Sequence, residues 1–369
     1  MYFFWKGTAK QIISQYQNFV GKPKLPPFWA LGWHAGSSSY TKLEDIQAMV
    51  DGYKTAAMPL EAIMMDSNYA MAGANFKVDT TNYPDLSAYR ATLDATNQKL
   101  VLSLNTGLDA TVVGDEYIIQ GQEGAAFIQS TVNLGGDYQG AIVNSVNAKQ
   151  NVFLDLFQSS ASDLWGAGLI DLHTQTSFDG LSLIGNEPVG KCNGECLNGP
   201  PVPPEPSTKK PRELSELFLS ALKDEVTTWY TTYKDQSVNS TYDLPFIPYQ
   251  NVNLDNMTLS LNATHANGAI EYDVHNLMGH MQSQATRGFL ESSSSPIPDK
   301  RQFLVSSGSF SGSGVNAGHP ISPINRSFGD LKNATAGVMN MNMFGVPFSG
   351  PDVCGTSGDA DEELCARWI

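Results

Sequence analysis

Phe178-Asp179-Gly180-Leu181-Ser182-Leu183-Ile184-Gly185-Asn186-Glu187-Pro188 is the stretch that decides the fold. Leu181, Leu183 and Ile184 form a short apolar run, entered through Asp179-Gly180 and left through Gly185 and Pro188. Such a run between turn residues predicts a buried strand. Asn186 and Glu187 stand at its C-terminal end. Parallel β/α barrels carry their sites at the C-terminal ends of the strands, so these two polar residues become candidates for a site.

The same pattern repeats on both sides. Thr8 and Gln11 form a capping box before a helix with Ile12, Tyr16, Phe19 and Val20 on one face, and Gly21 ends it. Pro23, Pro26 and Pro27 lead stiffly into a predicted first strand over 28–33. Thr41 and Glu44 suggest a second capping box, before a helix whose apolar face is Ile46, Met49, Val50 and Tyr53. Strands follow at 61–65, with Asp66, Asn68 and Tyr69 at its end, and at 99–104, separated by a helix over 86–94. Residues 106–178 read as less regular, with Trp165 in the core. Beyond the quoted strand (181–184) come helices over 213–230 and 272–289, a fifth strand at 303–305, and a sixth among glycine-rich loops. A seventh strand is predicted at 344–348, then Asp352, Cys354 and a helix from 362. Alternating buried strands and amphipathic helices predict an α/β parallel fold. A (β/α)8 barrel needs eight strands to close, so the expectation is a TIM-type barrel with loop insertions, incomplete at the C-terminus, in a chain that is a fragment or has lost its mature start.

Composition narrows the function. The 369 residues carry 22 basic and 37 acidic side chains, a net charge of −15, with no basic run. A nucleic-acid partner is therefore excluded. Charged residues make up only 16%, and Asn, Ser, Thr and Gly are frequent, which fits a secreted protein. Cys192 and Cys196 form one close pair, and Cys354 and Cys365 another. Two local disulfides are expected; zinc is the alternative, but neither pair has a histidine close in sequence. Five Asn-x-Ser/Thr sequons, at Asn239, Asn256, Asn262, Asn325 and Asn333, point to the extracellular space or the secretory-pathway lumen. No signal peptide is visible and no run is long enough to span a membrane. No His/Cys/carboxylate cluster has metal-ligand spacing. Gly312-Ser313-Gly314 lacks the lysine and helix of a phosphate loop, and Ser309 and Ser311 lack an activating partner. No cofactor and no metal are implied.

Asp179-Gly180 followed by Asn186-Glu187-Pro188 resembles the catalytic strand of the family 31 glycoside hydrolases, the α-glucosidase family. Further segments resemble it too: Lys24 to His34, Asp273-Val274-His275-Asn276-Leu277, Ser309 to Gly314, Ala317-Gly318-His319, Met343 to Pro347, Asp352 to Gly355, and Glu362 to Trp368. The resemblance implies a barrel over 22–369, an insertion at about 203–243, and the end of a β-sandwich region with a linking helix over 1–21. It also implies a partner for Cys354 in Cys365. It places the family nucleophile position at Ile184 and the acid/base position at Pro323, where the family has carboxylates. Asp66 keeps a family sugar-binding position, Asn68 replaces a second Asp, and Ser307 replaces an Arg.

Neither Ile nor Pro can attack a sugar or move a proton. The first expectation is thus a secreted, N-glycosylated, catalytically inactive relative. It would act as a structural or interaction glycoprotein, with other extracellular glycoproteins or glycans as partners. The second is a lectin-like module whose sugar contacts are Asp66, Asn68, Glu187, Asp352, Trp33 and Tyr69. The third is a working α-glucosidase with relocated carboxylates. Against the last two, Asp66, Glu187 and Asp352 can simply bond loop backbone, and His34, His275 and His319 read as structural.

Overall fold

In the computed structural model of the chain, Thr8 caps α1 (Ala9–Val20): its hydroxyl accepts the Gln11 N–H at 3.4 Å, and Gln11 Oε1 accepts the Thr8 N–H at 2.8 Å. The structure describes residues 7–71, 74–110, 112, 115–129, 143–146, 149–188, 246–247, 252–253, 257–297 and 300–369. The expected insertion at 203–243 and helix over 213–230 lie outside them, as do Cys192, Cys196, Asn239 and Asn256.

The barrel strands and helices alternate from β1 (His34–Ala35) through α2 (Leu43–Thr55), β2 (Ala62–Met65), α3 (Leu86–Ala95) and β3 (Lys99–Leu104). The chain then leaves the sheet for β4 (Gly107–Asp109), α4 (Glu116–Glu123), β5 (Val143–Val146) and β6 (Lys149–Phe153). The last two strands and β4 make a small antiparallel sheet in the order β4-β6-β5. It returns through α5 (Ser159–Gln175) to β7 (Gly180–Leu183). A second departure holds the short hairpin β8 (Phe246–Ile247) and β9 (Val252–Asn253). It closes with α6 (Glu271–Val274) and α7 (Met278–Leu290), then β10 (Phe303–Ser306). β11 (His319–Ile321), α8 (Phe328–Met343), β12 (Ser349–Pro351) and α9 (Glu362–Trp368) complete the order.

β1-β2-β3-β7-β10 form one parallel sheet. β11 and β12 pair in parallel, and Val305 bridges to Gly318, so all seven strands run on in one direction. Among the described residues, β1 and β12 are its free edges. This is the expected α/β architecture.

Strand alternation sorts two cores. Ala62, Val101 and Phe303, with Met64 and Val305, fill the inner face together with Trp29 and Phe348. Ile63, Met65, Leu100, Leu102, Leu181, Leu183 and Leu304 face the helices, where Ile46, Leu93, Trp165, Leu169, Leu172 and Leu290 meet them. Each fully buried side chain of this size contributes roughly 1.5–3 kcal/mol.

Several local readings shift. The run 28–33 is not the first strand: Phe28–Leu31 is a 3-10 turn, with Ala30 N–H bonding Pro27 O. The strand starts only where β2 offers a partner, at His34. The second helix begins after Lys42, and Asp45 rather than Glu44 reaches back, accepting Thr41 N–H at 3.0 Å. The seventh strand is Ser349–Pro351, not 344–348, because β11 fixes its register. α5 and the β4-β6-β5 sheet occupy much of the region read as irregular.

Candidate functional site

The alternation that puts Met64, Val101 and Val305 inward continues past the strand ends. The first residues beyond β2, β3, β7 and β10 are Asp66, Asn105, Ile184 and Ser307. All four fall on the inward register at the C-terminal rim. Backbone bonds hold two of them against neighbouring strands: Ile184 N–H donates to Leu104 O at 2.9 Å, and Ser307 N–H to Leu183 O at 2.9 Å. Gly185 then turns with φ of 50°, a left-handed conformation that favours glycine. Its carbonyl accepts from Thr106 Oγ1 at 3.1 Å, tying the β3 and β7 ends together.

The polar side chains at this rim are occupied in shaping it. Asp66 Oδ1 accepts the Ser67 N–H at 2.6 Å. Asn68 Nδ2 donates to Ser38 O at 2.7 Å and Tyr40 O at 3.2 Å. Tyr69 is fully buried, and its hydroxyl donates to Ser103 O at 3.1 Å. Asn186, also fully buried, donates to Ser306 Oγ at 2.6 Å and accepts the Gly308 N–H at 2.5 Å.

Glu187 and Asp352 are exposed, one beyond β7 and the other beyond β12. Pro323 is exposed two residues past β11. Ile184 is half-buried. The structure does not bring Trp33 to this rim. It precedes β1, and its Nε1 donates to the Tyr53 hydroxyl of α2 at 2.8 Å. His34 lies inside the barrel beside Trp29 and Phe303. Burial lowers its pKa and that of His319, whose Nδ1 meets Ser306 O at 3.1 Å.

A buried charged cluster went unread in the sequence. Asp155 Oδ1 lies 2.9 Å from His265 Nδ1, and Glu271 Oε2 lies 2.9 Å from His265 Nε2. Glu271 Oε1 lies 3.0 Å from His275 Nδ1. Burial works against charge on His265, but the two carboxylates outweigh it and push its pKa up to about 9. Burial likewise opposes ionised Asp155 and Glu271, and His265 overrides it, holding both below the usual range. The i, i+4 spacing of Glu271 and His275 was a usable signal. Asp155 lies 110 residues from His265, and nothing local links them.

Among the described residues, no group of three or more His, Cys, Asp or Glu side chains could hold a metal ion. No helix among them is long and apolar enough to cross a membrane. Cys354 and Cys365 form a disulfide between the loop after β12 and α9.

The family model described as the glycosyl hydrolases family 31 TIM-barrel domain matches residues 23–369. The chain belongs to glycoside hydrolase family 31. An alpha-glucosidase of Mucor javanicus is 29% identical over 378 residues, covering 100% of this chain and 42% of that protein. Alpha-xylosidase 1 of Arabidopsis thaliana is 28% identical, again across 100% of this chain and 38% of that protein. The chain therefore spans about two fifths of these family 31 relatives. A crystal structure of the glucosidase II alpha subunit superposes with a TM-score of 0.74 at 19% identity, covering 98% of this chain and 32% of that one. It shares the fold.

Proposed function

We propose that this chain is part of a family 31 glycoprotein that does not hydrolyse glycosides and has a structural or interaction role. The observation that carries the reading is the pair Ile184 and Pro323. Both sit past C-terminal strand ends at the rim, where the family resemblance calls for a nucleophile and an acid. A retaining glycosidase of this kind needs two carboxyl groups about 5–5.5 Å apart across the scissile bond. Asp66, Asn68 and Asn186 support the same reading, because their side chains are spent on loop backbone and neighbouring strands. Residues 22–369 would be the barrel unit and 1–21 the end of a preceding one.

The proposed setting is the secretory-pathway lumen or the extracellular space, with glycoproteins or glycans as partners. The Cys354–Cys365 disulfide fits an oxidising compartment. Among the sequon asparagines, Asn325 and Asn333 are exposed, while Asn262 is half-buried.

A second reading rests on Glu187 and Asp352, which are exposed at the rim and carry carboxylates. They could bind a sugar without cleaving it. With the activity named for the Mucor javanicus relative, they could instead serve hydrolysis of a terminal α-linked glucose. The test is turnover of a chromogenic α-glucoside and of maltose by the full-length protein, beside binding to a glycan panel. Turnover equal to a buffer blank supports the proposal. Hydrolysis that Glu187→Ala or Asp352→Ala abolishes overturns it, and binding without turnover moves the role to that of a lectin.

A further inference from the structure

His265 joins two departures from the barrel. Asp155 belongs to the connection that leaves β3 and returns at α5, and His265 and Glu271 belong to the one that leaves β7 and returns at α7. Backbone bonds run beside the cluster. Gln129 and Thr264 exchange N–H and C=O at 3.0 Å each way, and the Glu271 N–H donates to Ala263 O at 2.9 Å. Asp155 Oδ2 accepts the Ala266 N–H at 2.6 Å. Beneath lies a small apolar core of Ile128, Phe153, Leu259, Ala263 and Met278. Among the described residues, this apolar core and the buried ionic cluster join the two connections.

The geometry fixes the charge state. A neutral imidazole donates from one nitrogen only. Each nitrogen of His265 faces a buried carboxyl oxygen at 2.9 Å, and with Asp155 and Glu271 both held ionised both nitrogens donate and the ring is an imidazolium. The side chains of Asp155, His265 and Glu271 are each 1% exposed, so water cannot replace a lost bond. Removing one partner of such a buried set strands the others. Among the described residues, the charged groups bearing on His265 are Asp155 from the β6 side and Glu271 from its own connection, and His275 bears on Glu271. The Phe157 ring packs edge-on at 5.0 Å.

We propose that His265 is a protonation latch: as an imidazolium it clamps the two connections together at the barrel rim, and on losing its proton it releases residues 259–271 from the Asp155 turn. The sign follows from the folded and unfolded values. The pKa of His265 is raised from 6.5 to about 9, so its stabilisation is full below 6.5 and is lost as pH rises through about 9. Asp155 and Glu271 are depressed, so theirs is present above ordinary carboxylate values and lost in stronger acid. The latch is therefore closed from mildly acidic to neutral pH and opens on the alkaline side.

Hydrogen exchange of the full chain between pH 6 and pH 10, corrected for intrinsic rates, tests this. Protection in 259–271 should fall at least about tenfold between pH 7 and pH 10, one pKa unit being tenfold, while α5 keeps its protection. Unchanged protection in 259–271, or parallel loss in α5, overturns the proposal. His265→Gln, which cannot charge, should remove the pH dependence. Should that variant not fold, nitrogen NMR of the wild-type ring decides: an imidazolium still present at pH 8 supports the latch, and a neutral ring at pH 7.5 overturns it.

Discussion

Asn186 and Gly308 meet through a buried hydrogen bond, with the glycine N–H donating to Asn186 Oδ1 at 2.5 Å. The other end of the amide donates to Ser306 Oγ at 2.6 Å, and Ser306 Oγ donates in turn to Gly308 O at 2.8 Å. One side chain thus pins the end of β7 to the end of β10. A Cβ on Gly308 would stand 3.0 Å from both Asn186 Oδ1 and Gly279 Cα, so α7 starts directly against this loop. Asn186 lies in the most family-like stretch of the chain, yet its work is to hold the rim in shape.

Asn186→Ala should therefore destabilise the protein without any appeal to activity. It leaves the Gly308 N–H unpaired in a buried place and removes the bond to Ser306, at about 1–3 kcal/mol per stranded group. A total loss of about 2–4 kcal/mol is expected, read as a lower urea midpoint at unchanged slope. A change under about 0.5 kcal/mol, the usual range for surface substitutions, would show that water reaches the Gly308 N–H.

Asp179 opens the same strand and ties it to α3. Its Oδ2 takes Arg90 Nη2 at 2.6 Å and the Leu100 N–H at 3.0 Å, while Arg90 Nε reaches Ser177 O at 3.1 Å. Arg90 is only 5% exposed. Asp179→Asn leaves that guanidinium with Asp94, at 2.8 Å, as its remaining carboxylate partner. The expected cost is about 2–3 kcal/mol, below the roughly 3–5 of a wholly orphaned buried charge. Arg90→Lys should also destabilise, since an ammonium cannot make the forked contact. Thermal melts of both variants check this.

The strand bodies were legible because each is an apolar run between turn residues: Leu100–Leu104, Leu181–Leu183 and Phe303–Val305 lie where alternation and punctuation put them. Short edge elements were not. β11 is three half-buried residues whose register depends on β12, so its place is a tertiary fact. α8 buries only Ala334 and offers no apolar stripe to read. At the rim, Asp66, Ile184 and Ser307 were legible as strand-end residues. The partners of Asn68, Ser38 and Tyr40, are set by a distant loop, and Trp33 faces α2 because Tyr53 accepts its indole N–H. The Asp155–His265 contact is longer in sequence than any local pattern.

The Cys354–Cys365 link closes a loop with a separation of 11 residues. Constraining the unfolded chain over that length is worth about 3 kcal/mol at most. Replacing both cysteines with alanine should cost about 2–3 kcal/mol and loosen α9, whose Leu364 is its one buried residue. Denaturation with and without a reductant gives the total, and hydrogen exchange in Glu362–Trp368 gives the local part. Equal stability in both conditions would mean that the link adds nothing to the native fold.

Ile184 offers the sharpest functional test, because its position and its chemistry point in opposite directions. It sits on the inward register at the strand end and is half-buried, with its backbone held by Leu104. Ile184→Asp puts a nucleophile at that position but supplies no acid, since Pro323 stays. Chemistry of the two-carboxylate kind then depends on the leaving group. A substrate whose leaving group needs no protonation, such as α-glucosyl fluoride, should be consumed faster by the variant than by the wild type. Maltose, which needs the acid, should remain at the blank for both. The carboxylate should also lower stability by about 1–3 kcal/mol, the cost of burying part of a polar group. Hydrolysis of maltose by the wild-type chain, lost on Glu187→Ala, would place the chemistry elsewhere on the rim and overturn the assignment of Ile184.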